Sequence, residues 1–166
     1  MNIAIVGATG LVGKKMLNIL EQRNFPLANL IPIASKKSEG NLIDFKGEKH
    51  KVISLENSLS SEIDIALFSA GAEISLRWAP IYKDRGIYVI DNSSAWRMDE
   101  QVKLIIPEIN GSSLESKDRV IANPNCSTIQ MLMALAPIHR KFKLKRIIIS
   151  TYQSVTGTGK AAIDQL

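Results

Sequence analysis

The sequence predicts an α/β fold: a doubly wound, mostly parallel sheet covered by helices, followed by the start of a second, α+β unit. Three observations predict it. Short apolar runs of strand length alternate with longer segments whose apolar residues recur at helical spacing. Several of the strand runs, such as "NIAIVGA" and "IDIALFSAG", have unbroken apolar centres, as strands buried on both faces have. A glycine-rich turn joins the first strand run to the first helical segment.

The elements follow in order. "NIAIVGA" reads as the first strand. "GLVGKKMLNILEQRNF" reads as a helix, with Leu11, Val12, Met16, Ile19 and Leu20 at helical spacing. "NLIPIAS" is a second strand, although Pro32 weakens it. "NLIDFKGEKHKVISLE" predicts a small β excursion, and "IDIALFSAG" a buried strand followed by a helix through "AEISLRWAPIYKDRG". "IYVIDNS", "KLIIPEI" and "DRVIANP" predict three further strands. A helix then starts at Cys126, with Pro137 expected to distort it near its end. "KRIIISTYQSV" is a β-rich run, and "GKAAIDQL" reads as the first residues of another helix.

With 166 residues, 45% of them hydrophobic, the chain can bury one well-packed domain and the beginning of another. No apolar run reaches membrane-spanning length, and the N-terminus runs straight into a strand without signal-peptide anatomy. A single cysteine excludes an internal disulfide framework and fits a reducing, cytoplasmic setting. The net charge of +5 is dispersed over short runs without interleaved aromatics, which argues against nucleic acid and for a solvated basic surface with a few charges for phosphorylated small ligands. No motif predicts a metal site.

"GATGLVG" places Gly7, Gly10 and Gly13 between strand and helix, a GxxGxxG variant of the dinucleotide fingerprint. Small residues there let the backbone turn sharply, approach a pyrophosphate and aim amides at it, making this a Rossmann-type turn. After the second strand, an acidic residue would hold the ribose 2′-hydroxyl of NAD. This chain has Ser35, Lys36, Lys37 and Ser38 instead, hydroxyls and cations that suit the 2′-phosphate of NADP, although Glu39 lies close by.

Cys126 admits two readings, a small buried hydrophobe or a nucleophile. It follows the turn-forming "NPN", starts a helix whose dipole favours negative charge on sulfur, and has polar neighbours in Asn125, Ser127 and Thr128, two of which could be ordinary capping residues.

Taken together, "GATGLVG", "LFSAG", "DNSS.WR", "PNCSTIQM" and "STYQSVTGTGK" resemble aspartate-semialdehyde dehydrogenase of the bacterial type, across these residues but over only about the first half of that family's usual chain. N-acetyl-glutamyl-phosphate reductase shares the glycine loop, but its cysteine typically lies in an "NPGCY"-like context. The resemblance implies NADPH-dependent reductive dephosphorylation of 4-phospho-L-aspartate to L-aspartate 4-semialdehyde and inorganic phosphate, on the route to lysine, threonine and methionine. It makes Cys126 the nucleophile that forms a thioester. Gln153 resembles the residue that orients substrate, and Arg97 with Asn125 resembles the pair that holds the phosphate. Thr9, Gly10, Leu11 and Val12 fall on the family's pyrophosphate loop. Lys37 and Ser38 fall on its 2′-phosphate site, where arginine is common, and Thr156 and Gly157 fall near the nicotinamide. At Asn123 the family often has a small residue, and no catalytic consequence is expected.

The resemblance divides the chain into an NADP-binding domain, 1–125, and the cysteine helix with the beginning of a substrate and dimerisation domain, 126–166. The full-length family implies a homodimer or tetramer. Neither His50 nor His139 matches the family's catalytic histidine, so the general base is expected outside this chain. The alternative from another class is a non-catalytic dinucleotide-binding module. The chain alone is expected to turn over little and to associate through exposed Ile147, Ile148 and Ile149.

Overall fold

The computed structural model describes residues 1–158 together with Ile163 and Gln165; most of "GKAAIDQL", where a helix start was expected, lies outside them. In chain order the strands are β1 (Asn2–Val6), β2 (Asn29–Ile33), β3 (Leu42–Phe45), β4 (Glu48–Lys51), β5 (Ile65–Phe68), β6 (Tyr88–Asp91), β7 (Lys103–Leu104) and β8 (Val120–Ala122). The helices are α1 (Leu11–Gln22), α2 (Leu55–Ser58), α3 (Ala72–Asp84), α4 (Pro107–Asn110) and α5 (Cys126–Phe142). Six strands form one sheet in the order β2-β1-β5-β6-β8-β7, every pairing parallel. The predicted doubly wound, Rossmann-type sheet is therefore the observed one. The strands β3 and β4 make a separate antiparallel hairpin.

Alternation along β1 explains its unbroken apolar run. Ala4 and Val6 face one side and pack with Ile33, Phe68 and Val89 under Trp78, Ala79 and Tyr82 of α3. Ile5 faces the other side, with Leu30, Leu17 of α1 and Phe45 of the hairpin. Both faces are thus covered, and burying a side chain such as Phe68 or Ile5 contributes about 2–3 kcal/mol. Phe68 and Tyr82 meet edge to face at 5.3 Å.

Pro32 sits inside β2 because β2 is an edge strand. Its carbonyl accepts from Ile53 N–H at 3.0 Å on the outer side, where its missing N–H leaves no ladder bond unmade.

Several expectations are corrected. In α1 the buried residues are Gly13 and Leu17, whereas Leu11, Val12 and Ile19 are exposed, so the core-facing stripe is rotated from the one read in the sequence. The β excursion ends after β4, and "LENS" forms a one-turn helix, α2. In "KLIIPEI" only Lys103–Leu104 is strand; Pro107, with its fixed φ and missing N–H, starts α4 instead. The expected helix at Cys126 is α5; it holds Pro137 inside it and ends at Phe142, capped by Lys143 at φ +55°. Residues 143–154 form no strand. A strand needs a neighbour for its backbone groups, and among the described residues none pairs with this run. Ile148 is 83% exposed there and Tyr152 98%.

Candidate active site

The sheet order reverses at β1. From it the chain goes first to β2 on one side and later to β5 on the other. In open α/β sheets the crevice forms at such a switch point, beyond the carboxyl ends of the strands. The loops that end β1 and β5 meet there. Gly7 has φ +92°, and a Cβ on it would run into the Ser69 carbonyl. A Cβ on Gly13 would strike the Gly7 carbonyl and lie 2.8 Å from Ala8 Cα. The first turn of α1 therefore rests directly on the loop.

That loop is anchored from below. Gly7 and Ala8 N–H donate to Ile33 O at 2.8 and 3.0 Å, and Gly10 N–H donates to Gly7 O. The N-cap of α1 is Gly10, so no side chain caps the helix, and its first turn carries no acid. The N–H groups of Leu11 and Val12 are left to an external anion.

The next strand ends supply the rest of the floor, each continuing the ladder by one rung. Ser69 N–H donates to Val6 O, Asn92 N–H to Phe68 O and Asn123 N–H to Asp91 O, at 2.8–2.9 Å. Asp91 is fully buried and accepts from Ser93 N–H at 3.1 Å and Ser93 Oγ–H at 2.6 Å, which folds the "DNSS" turn back on its strand. Arg97 follows, half-buried. Its Nε–H donates to Asn123 O and its Nη2–H to Asn92 O, both at 3.0 Å, leaving Nη1 without a partner among the described residues.

Cys126 is exposed and is the first residue of α5. It is not core. Asn125 caps the helix, its Oδ1 accepting from Ser127 N–H at 2.9 Å. With Oδ1 so engaged, Nδ2 remains as the donor.

These pieces line one cleft of about 530 Å³, walled by Gly10, Leu11 and Val12, by Arg97, Asn125 and Cys126, and by Gln153, Thr156 and Gly157 from the C-terminal segment. Gln153 lies across Gly157, where a Cβ would collide with its side-chain amide. Nine of the residues singled out in the sequence thus share a wall. Gly7, Thr9 and Gly13 are not on it; Gly7 and Gly13 shape the loop beneath. Ser35, Lys37 and Ser38 also stand apart, in or beside the single 3₁₀ turn that follows β2.

Four wall residues were not foreseen: Ser69, Gly71, Asn92 and Ser93. They sit at or just beyond the carboxyl ends of β5 and β6. The signals available were their position, polar or glycine residues directly after buried strands, and their place within "LFSAG" and "DNSS.WR". Among the described residues the wall carries the cation Arg97 and no carboxylate, so it suits anions.

Glu39 does not face this wall. Its carboxylate accepts from Asn57 Nδ2–H at 2.6 Å and from Ser54, bonds that hold its pKa below the usual value, with the Asn57 bond the largest cause. His50 packs edge-on against Phe45 in the hairpin and His139 is exposed on α5, both away from the cleft wall. No helix is long and apolar enough to cross a membrane among the described residues, and none of their His, Cys, Asp and Glu groups could hold a metal.

Residues 2–117 match the family described as semialdehyde dehydrogenase, NAD binding domain. An aspartate-semialdehyde dehydrogenase of Aquifex aeolicus is 52% identical across 99% of this chain, which covers 49% of that protein. One from Bacillus subtilis is 46% identical across the whole chain, which covers 48% of it. The crystal structure of aspartate semialdehyde dehydrogenase II from Vibrio cholerae superposes with a TM-score of 0.94 at 48% identity, over 99% of this chain and 49% of that one. The chain spans about half the length of the relatives it matches.

Proposed function

The chain belongs to the semialdehyde dehydrogenase NAD-binding-domain family, and on that premise we propose that it supplies the cofactor site and the nucleophile of an NADPH-dependent aspartate-semialdehyde dehydrogenase. The observation that carries this reading is the single cleft holding an uncapped glycine-loop helix, an exposed cysteine and an arginine. The loop fits a dinucleotide because a Cβ at Gly7 or Gly13 would fill the space that lets helix and loop close up. The backbone of Thr9, Leu11 and Val12 would hold the pyrophosphate, Ser35, Lys37 and Ser38 the 2′-phosphate, and Thr156 and Gly157 would lie beside the nicotinamide. Glu39 Oε1 accepts from Asn57 and Ser54, which draws its carboxylate toward α2.

The substrate is the acyl phosphate 4-phospho-L-aspartate. Arg97 Nη1 and Asn125 Nδ2 donate to its phosphate and Gln153 orients its chain. The sulfur of Cys126 forms a bond to the acyl carbon, the carbon–oxygen bond to phosphate breaks, and inorganic phosphate leaves with its charge met by Arg97. NADPH, when bound, would supply the hydride that takes the thioester to the aldehyde, with the carbon–sulfur bond breaking to return the Cys126 thiolate. The thiol proton passes to a general base that we assign outside these 166 residues, along with the substrate-carboxylate clamp and the dimer or tetramer interface. We place the domain boundary at residue 125, and assign the protein to cytoplasmic synthesis of lysine (through diaminopimelate), threonine and methionine.

The test is Cys126→Ser in the complete enzyme. Turnover is expected to vanish while NADPH affinity stays within about twofold, because the glycine loop is a separate element. Appreciable activity in the variant would make the thiol structural.

A further inference from the structure

Arg97 is held by main-chain carbonyls from two different strand ends, Asn92 O after β6 and Asn123 O after β8. A guanidinium is a planar fork of five donors, and it presents its free edge in one direction only if the groups on its other edge keep a fixed spacing. Two bonds hold these carbonyls together. One is the ladder bond, Asn123 N–H to Asp91 O at 2.8 Å, which any residue but proline would make. The other depends on the side chains: Asn123 Nδ2–H donates to Asn92 Oδ1 at 2.7 Å.

The result is a closed ring. Arg97 donates to Asn123 O, Asn123 donates to Asn92 Oδ1, and Asn92 O accepts from Arg97. All three residues are half-buried, and Asn92 and Arg97 are on the cleft wall while Asn123 stands behind them. Asn123 is not on the cleft wall, yet its amide bond to Asn92 ties the end of β8 to the end of β6 beside the Arg97 guanidinium.

We propose that Asn123 is a positioning residue for Arg97: its side-chain amide, bonded to Asn92, fixes the two carbonyls that aim the free edge of the guanidinium at an oxyanion in the cleft. The inference rests on the reading of Arg97 as the phosphate ligand, and deepens it.

The test uses Asn123→Ala, Asn92→Ala and the double variant of this chain, with inorganic phosphate as the probe. The Arg97 Nε–H resonance reports the ring directly through its hydrogen exchange, and its shift on titration reports phosphate. Asn123→Ala should speed that exchange and weaken phosphate by about tenfold, the effect of roughly one net hydrogen bond. NADPH affinity should stay within about twofold, which loss of the fold would not allow. Because both single variants remove one bond, the double variant should lose little more than the worse single. Asn92→Ala breaks the bond from its other end, so the test survives if one variant fails to fold. Unchanged exchange and phosphate affinity in the single variants, or fully multiplied losses in the double, would overturn the proposal. If the wild type shows no response to phosphate, the anion role of Arg97 falls, and the exchange comparison still decides whether Asn123 orders it.

Discussion

Gly13→Ala perturbs the point where α1 meets the glycine loop. Alanine gains at most about 1 kcal/mol over glycine from helix propensity, and less in the first turn, where Gly13 lies. Here the added Cβ would overlap the Gly7 carbonyl oxygen and come within 2.9 Å of both Gly7 C and Ala8 Cα. All three are backbone atoms, and that backbone is pinned by the bonds of Gly7 and Ala8 N–H to Ile33 O. No side chain can swing aside, so the cost belongs at the upper end of the overpacking range, about 3 kcal/mol. The net loss is about 2 kcal/mol, a fall in Tm of about 4–8 °C for a chain of this size. Relief by lifting α1 would also carry Leu11 and Val12 N–H away from the pyrophosphate, so NADPH affinity should drop by about tenfold or more. Gly111→Ala is the control: its backbone has φ −56° and its nearest neighbour for a Cβ is Pro107 Cβ at 3.7 Å. That variant should keep or slightly raise Tm. Thermal unfolding by circular dichroism and calorimetric titration with NADPH read both effects. A Gly13→Ala protein as stable and as tightly binding as Gly111→Ala would refute the close-contact argument.

Calorimetry with the two cofactors should show NADPH binding more tightly than NADH, and Lys37→Glu should reverse the order; equal affinities in the wild type would remove the basis for that assignment. The Tyr82 hydroxyl, bonded to Ser58, is fully buried, and burial chiefly raises its pKa. Its contribution to stability is therefore complete below the unfolded tyrosine value of about 10 and is lost as pH rises through the higher folded value. Tyr82→Phe should cost about 1 kcal/mol near neutrality and shift alkaline unfolding to higher pH, as denaturant titrations across pH would show. Light scattering should find the chain associated, because Phe142, Ile148 and Tyr152 are each at least 68% exposed; a monodisperse monomer turning over substrate would place the catalytic base or the domain boundary elsewhere.

What the sequence made legible were the features set locally. β1, its glycine turn and α1 follow from apolar pattern and glycine spacing, and Cys126 starts its helix as "NPN" implies. What escaped depended on tertiary placement. Leu11 and Val12 look like core residues by spacing, and only the resemblance set them on the pyrophosphate loop; the close seat of Gly13 turns α1 so that they face the cleft. Glu39 looks like a candidate ribose ligand until Ser54 and Asn57, far along the chain, are seen to hold it. Asn92 and Ser93 lie in the quoted "DNSS.WR" motif, but their place on the wall follows only once the parallel sheet brings their strand end beside those of β5 and β8. The triple isoleucine 147–149 has strand propensity but, among the described residues, no partner to satisfy a strand backbone, and propensity alone does not make one.

Covalent capture at Cys126 tests the central claim most directly. The protein would be mixed with 4-phospho-L-aspartate in the absence of NADPH, quenched in acid, and mapped by peptide mass spectrometry. The account predicts inorganic phosphate release matched by an aspartyl thioester on residue 126, cleaved by hydroxylamine and absent from Cys126→Ser. Acylation of another residue, or phosphate release at the same rate in Cys126→Ser, would contradict it.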